Sequence, residues 1–215
     1  LIQFFPFQVS GQEADAERAQ LLILLDRVDF KTLSECSDAF AGIPGSESLA
    51  PRILSQDELL ASTDVFPLTF LEMKHNYRLL AGKDLLAELE ISDSHLRLRC
   101  EQELRNLLLR MQSSFVLRRH SAHDLFVTLR ASYASFQRCL YATEILANGG
   151  VGQKPSSVDG KSLGADPDVM KRTQELCQTT ANAGTEAIVE IYGFLMEEVR
   201  RICKAVDDLA DVFHA

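Results

Sequence analysis

The apolar residues of this chain change their spacing near residue 90. Before it they come in short runs, Leu1–Phe7, Leu21–Leu25, Pro51–Leu54 and Val65–Leu71, separated by turn formers such as IPGSES and SQDE. Runs this short, bounded by Gly, Pro and Ser, predict strands. Helices are predicted between them at Asp29–Ala41 and at Gln56–Ala61, the second with Ser55 as its cap and Glu58 at the capping-box position. Strands alternating with helices predict a small α/β domain over residues 1–90.

Beyond that point the period becomes helical. From His95, the residues Leu96, Cys100, Leu104, Leu107, Leu108 and Met111 recur three and four apart and draw one buried stripe. A second helix is predicted after Ser121, with Asp124 closing a capping box and Leu125, Leu129, Phe136, Leu140 and Ile145 turned inward. It stops at Asn148-Gly149-Gly150, where a left-handed backbone is permitted. A third helix opens at Asp166-Pro167 and runs to about Thr180. The fourth starts at Thr185 and carries Ile188, Ile191, Leu195, Val199, Ile202, Val206, Leu209 and Phe213 at helical spacing. Four stripes that each need a partner predict an antiparallel four-helix bundle over residues 91–215, and hence an α+β chain of two domains.

The segment VGQKPSSVDGKSLGA predicts a mobile linker around Lys154-Pro155-Ser156-Ser157. Within it Gly160-Lys161-Ser162 mimics the end of a P-loop. Pro155 stands where the first glycine must be and no strand precedes it, so the motif is set aside.

Composition narrows the classes. With 46% hydrophobic and 25% charged residues in 215, the chain suits a globular protein with one large core or two small ones. A net charge of −9 argues against a broad phosphate-binding surface, so no nucleic-acid partner is expected. No apolar run approaches the roughly 18 residues of a bilayer span. Leu1–Val9 also lacks the basic start and cleavage site of a signal peptide. A cytoplasmic protein with no membrane partner is the expectation. Cys36, Cys100, Cys139, Cys177 and Cys203 are odd in number, dispersed and without a C-x-x-C pair, so they read as small core residues.

The segment Asp64–Leu86, DVFPLTFLEMKHNYRLLAGKDLL, resembles a signature of bacterial nucleotidyltransferase-like proteins. Asp64, Val65, Phe66, Pro67, Phe70, Leu71 and Lys74 match it as they stand, and Arg78, Leu80, Gly82, Asp84 and Leu85 follow at the same spacing. The likeness continues into LEISDSHLRLRCEQELR, similar to the opening of the helical domain in those proteins, and covers roughly residues 20–110. Relative to them the chain starts inside the first strand. The resemblance implies a nucleotidyltransferase-like α/β domain followed by a helical bundle. It also implies a site template: a Gly-Ser turn for the triphosphate, a D-x-D or D-x-N pair on the next strand for Mg²⁺, and a third acid on a later strand.

This sequence departs from that template. The stretch Phe7-Gln8-Val9-Ser10-Gly11 stands for the Gly-Ser turn, and the acidic pair falls on Gln20 and Leu22 in one alignment or on Arg18 and Gln20 in another. Thr69 takes the place of the third acid. Asp26 and Glu72 remain as candidate acids, with Glu13, Asp15 and Glu17 nearby in sequence, and Glu72 is expected on the opposite strand face from Thr69. Ser10, Gly11, Lys74 and Arg78 are the candidate nucleotide-binding residues, the last two expected on one helical face. No catalytic or metal-binding residue is assigned.

The expectation is a catalytically inactive nucleotidyltransferase-like module that binds a nucleotide, a small molecule or a partner. One alternative is an active, Mg²⁺-dependent nucleotidyltransferase whose bundle shapes the acceptor site. Another is a structural homodimer built on the fourth helix, whose Ile188, Tyr192, Leu195, Met196 and Val199 cover more than one stripe. Arg118 and His123 have the R-x4-H spacing of some helical ribonucleases but read as a basic turn, Arg118-Arg119-His120, beside a helix cap. His75, His95 and His214 lack a metal-ligand partner four residues on and are expected to be exposed.

Overall fold

The computed structural model describes residues 1–4, 19–152, 160–178 and 184–209. They form two compact units divided between Ile91 and Ser92. The first is an α/β unit with a four-stranded mixed sheet, and the second is a helical bundle.

In the first unit the strands β1 (Ile2–Phe4), β2 (Ala19–Leu25), β3 (Leu49–Ser55) and β4 (Tyr77–Leu79) lie in the order β3-β2-β1-β4. The run AQLLILL becomes the interior strand β2 because both of its faces are covered, Leu21 and Leu22 being buried. It pairs antiparallel with β1, Ile2 opposite Leu22, and parallel with β3, Leu22 opposite Arg52. Parallel neighbours need a crossover, supplied by helix α1 (Phe30–Ala41). Asp29 and Thr32 form a capping box that starts α1. Helix α2 (Gln56–Ala61) starts from the predicted box, Glu58 N–H donating to Ser55 Oγ and Ser55 N–H to the Glu58 carboxylate. β3 is an edge strand, which is where Pro51 is tolerated.

Two expectations in this unit are corrected. Val65–Leu71 is not a strand: the chain forms helix α3 over Pro67–His75, entered through Pro67 in its first turn. Pro67, Leu68, Phe70, Leu71, Glu72 and Met73 are all buried, so the helix is covered on every side and shows no polar stripe. A short apolar run of that kind does not distinguish a buried helix from a buried strand. The residues after it, expected to be helical, form the short strand β4, paired with β1 through Gln3 opposite Arg78. Of the predicted strand Leu1–Phe7, β1 covers Ile2–Phe4, and the remainder lies outside the described residues.

The second unit contains α4 (Asp93–Arg118), α5 (Ala122–Ala147), α6 (Pro167–Gln178) and α7 (Thr185–Asp208), each close to its predicted span. Ser121 accepts a hydrogen bond from the Asp124 N–H and caps α5. The same helix ends where Gly149 and Gly150 take φ of 106° and 92°. At Gly150 a side chain would also collide with Asp93, whose carboxylate accepts from the Val151 N–H at 2.9 Å. Side-chain contacts give the helix directions: Arg105 meets Asp207 while Tyr192 donates to the Met111 carbonyl, so α7 runs against α4. The pairs Arg172–Glu190 and Asp166–Glu198 set α6 against α7 in the same way. Ile188, Ile191, Leu195, Val199, Ile202 and Val206 are buried as predicted, while Phe213 lies outside the described residues.

The expected linker is in part a built turn. Gly160 and Gly164 adopt the left-handed conformation at either side of a 3-10 turn, Lys161–Leu163. Buried Glu144 of α5 accepts from the Gly160 N–H at 2.5 Å. Buried Glu198 of α7 accepts from the Asp166 N–H at 3.0 Å and from Arg201 at 2.7 Å, and Arg201 reaches the Gly164 carbonyl. Lys154–Ser157 lie outside the described residues. Replacing Glu198 with Ala removes a charge-assisted bond and leaves a part-buried N–H without its acceptor, so unfolding in urea is expected to cost about 2 kcal/mol less. An unchanged denaturation midpoint would refute this anchoring role.

Candidate functional site

In the signature segment the side chains of Lys74, Arg78 and Asp84 are turned to internal bonds. Lys74, in the last turn of α3, is half-buried and donates to the Leu89 carbonyl at 2.5 Å. Arg78 lies on β4 rather than on a helix, is exposed, and donates to the Gln3 side chain at 3.3 Å. The two cations therefore do not share a helical face, because the chain changes from helix to strand at Asn76. Asp84 clamps the turn that follows: it accepts from the Tyr77 hydroxyl at 2.7 Å and from the Ala87 N–H at 3.1 Å. Burial, with the Asp84 carboxylate beside it, pushes the Tyr77 phenol up to about 12. Sequence reading matched Asp84 without seeing this clamp, since Tyr77 lies outside the matched positions.

The candidate acids are separated in character. Glu72 sits on helix α3 and is buried, so strand alternation does not relate it to Thr69. Asp26 is exposed just beyond the C-terminal end of β2. Gln20 and Leu22, one of the two alternatives for the metal-binding pair, alternate onto one side of β2 and are both buried. Ser10, Gly11, Glu13, Asp15, Glu17 and Arg18 lie outside the described residues. Among the described residues no three His, Cys, Asp or Glu side chains form a group suited to a metal ion.

The histidines and cysteines divide as follows. His95, His120 and His123 are exposed, whereas His75 is half-buried, unlike the expectation, because it ends the buried helix α3. His214 lies outside the described residues. Arg118 donates to the Thr128 hydroxyl at 2.9 Å across the α4–α5 turn, a structural use of the basic turn. Cys100, Cys139, Cys177 and Cys203 are buried as predicted. Burial pushes the thiol of Cys100 up to about 12 and that of Cys177 to about 11, which keeps both protonated and unreactive near neutrality.

An open groove of about 440 Å³ between α1 and β3 was not anticipated. Leu33, Cys36 and Phe40 line it from the helix, and Pro51 and Ile53 from the strand. None of the twelve residues of α1 is buried, and Phe30 is 87% exposed. The one charged residue lining the groove is Glu47, which repels phosphate. The stripe Leu33, Cys36, Phe40 was legible in the sequence, but its spacing implied a buried face rather than an open one. No family model, curated protein or solved structure matches this chain.

Two measurements follow from these environments. A thiol reagent is expected to label Cys36 alone in the native protein and all five cysteines after denaturation; rapid labelling of Cys100 or Cys177 in the native state would contradict the packing. Burial raises the phenols of Tyr77, Tyr133 and Tyr192 to about 12, above the unfolded value of about 10. Their contribution to stability is complete below the unfolded value and is lost as pH rises through the folded one. Alkaline titration is thus expected to show phenolate absorbance and loss of helical circular dichroism together between these limits. Three tyrosines ionising near 10 with the helices intact would refute it.

Proposed function

We propose that this chain is a catalytically inactive protein of nucleotidyltransferase-like architecture, with an α/β unit followed by an antiparallel four-helix bundle, that works as an interaction module. The observation that carries this reading is the commitment of the signature segment to its own fold. Lys74 is bonded to the Leu89 carbonyl and Asp84 to Tyr77 and Ala87. Thr69 stands where the resembling proteins carry an acid, and Glu72 is buried on the neighbouring turn of the helix. A phosphate-binding site needs cations free to face the ligand, and a metal site needs carboxylates converging on one point. Of the matched cations Lys74 is bonded within the unit and Arg78 donates to Gln3, and among the described residues no three acids form a metal-sized group.

One observation favours the second reading, an active nucleotidyltransferase. Asp26 is exposed beyond the C-terminal end of β2, beside the parallel strand β3, and ligands of α/β sheets bind at the carboxyl ends of parallel strands. The dimer reading loses its original motive, because Ile188, Tyr192, Leu195 and Val199 are buried on α7, which packs on α4, α5 and α6.

Calorimetric titration with ATP or CTP in the presence of Mg²⁺ is expected to give weak or no binding, and a pyrophosphate assay no release above background. Robust pyrophosphate release that Asp26→Ala abolishes would replace this proposal with the enzymatic one. Asp26 is the informative position because it is exposed, so its loss does not confound activity with folding.

A further inference from the structure

Helix α4 carries two apolar stripes. One faces the core, where Leu96, Cys100, Leu104, Leu107 and Met111 are buried. The other consists of Leu109, Val116 and Leu117, which are 62%, 75% and 81% exposed. At about 100° per residue, Leu109 and Val116 fall within about 20° of each other, Leu117 lies about 80° from Leu109, and Met111 points away from all three. A single exposed aliphatic residue needs no explanation, whereas three on one outward arc mark a contact surface.

The charges around this arc differ from those elsewhere on the bundle. Arg97 and Arg105 pair with Glu101, Arg99 with Glu103, Arg172 with Glu190, and Arg201 with Glu198. At the end of α4 the pairing stops. Arg118 donates to the neutral Thr128 hydroxyl, Arg119 lies over the Phe115 ring, and Arg110 has no ion partner among the described residues. Arg110 and Arg119, about 100° and 80° from Leu109 on its two sides, thus flank the apolar arc without a carboxylate partner among the described residues, on a chain whose net charge is −9.

We infer that the C-terminal third of α4 docks an amphipathic helix of another protein, apolar along one face and flanked by carboxylates. The spacing of Leu109, Val116 and Leu117, seven and eight residues apart, is that of a seam between packed helices. Arginine forks hold carboxylates in bidentate geometry, which supplies register and selectivity. A second copy of this chain is a poor occupant, since a symmetric contact sets arginine against arginine. An anionic bilayer is a poorer one: lipid recognition uses about four to eight clustered cations, and the net charge of the chain opposes approach. The inference holds whether or not the α/β unit turns over nucleotide.

The test uses the full chain and two synthetic helical peptides with the same leucine seam, one flanked by Glu and the other by Lys, followed by fluorescence anisotropy. The Glu-flanked peptide is expected to bind at least tenfold more tightly and to weaken with added salt. The combined variant Arg110→Glu, Arg119→Glu is expected to reverse the preference, and Val116→Asp with Leu117→Asp to abolish binding of both peptides. All four positions are exposed, so circular dichroism should be unchanged; should the Glu variant lose helix, the corresponding Gln variant tests the same point by losing the preference. Equal affinity for the two peptides, or no binding at millimolar peptide, would overturn the inference. Binding to phosphatidylserine vesicles without binding to either peptide would overturn it in favour of a lipid surface.

Discussion

A carboxylate excluded from water is tolerated inside a helix bundle only if its oxygens meet donors, and Glu198 fulfils that condition in a way that shapes the whole unit. One oxygen takes Arg201 from the next turn of α7, and the other takes the Asp166 N–H at the entrance to α6. The position at which α6 begins is therefore tied to a side chain more than 30 residues away. Glu144 on α5 grips the other end of the same turn through the Gly160 N–H. Two buried acids on two helices hold one short connection between them, and α6, with Val169, Met170 and Cys177 buried, packs against α5 and α7.

The α/β unit shows the same economy with different chemistry. Helix α3 is covered on all sides, so Lys74 at its end has little room to extend into solvent and satisfies the Leu89 carbonyl instead. Tyr77 and Asp84 close the following turn, where Gly82 takes a φ of 90°. Each of these residues belongs to or adjoins the segment that resembles a nucleotidyltransferase signature. Their side chains bond to the unit itself.

What remains outward-facing is correspondingly informative. Four of the apolar residues of α7 that cover more than one stripe are consumed by packing inside the bundle, whereas Leu109, Val116 and Leu117 of α4 are not. Arg110 and Arg119 beside them have no carboxylate partner among the described residues. On the first unit, α1 stands over β3 with an open groove lined by aliphatic and aromatic groups. At surfaces of this kind apolar contact supplies affinity and unneutralised charge supplies selectivity.

Local chemistry made much of this legible beforehand. The caps at Ser55 and Ser121, the stop at Asn148-Gly149-Gly150 and the long stripes of the four C-terminal helices are set by neighbours within one or two turns, so the sequence alone determined them. The match around Asp64–Leu86 was equally readable as a pattern of residues. Tertiary structure decided what those residues do. Helix or strand at Val65–Leu71 depended on tertiary packing, because a short apolar run has no period to read. The partners of Lys74, Asp84 and Glu198 are backbone groups or side chains brought close by folding, and a stripe on a helix does not disclose whether its face will be covered. The sequence determined which faces of the four C-terminal helices are apolar and where those helices begin; only the packed chain decided which of those faces stay open.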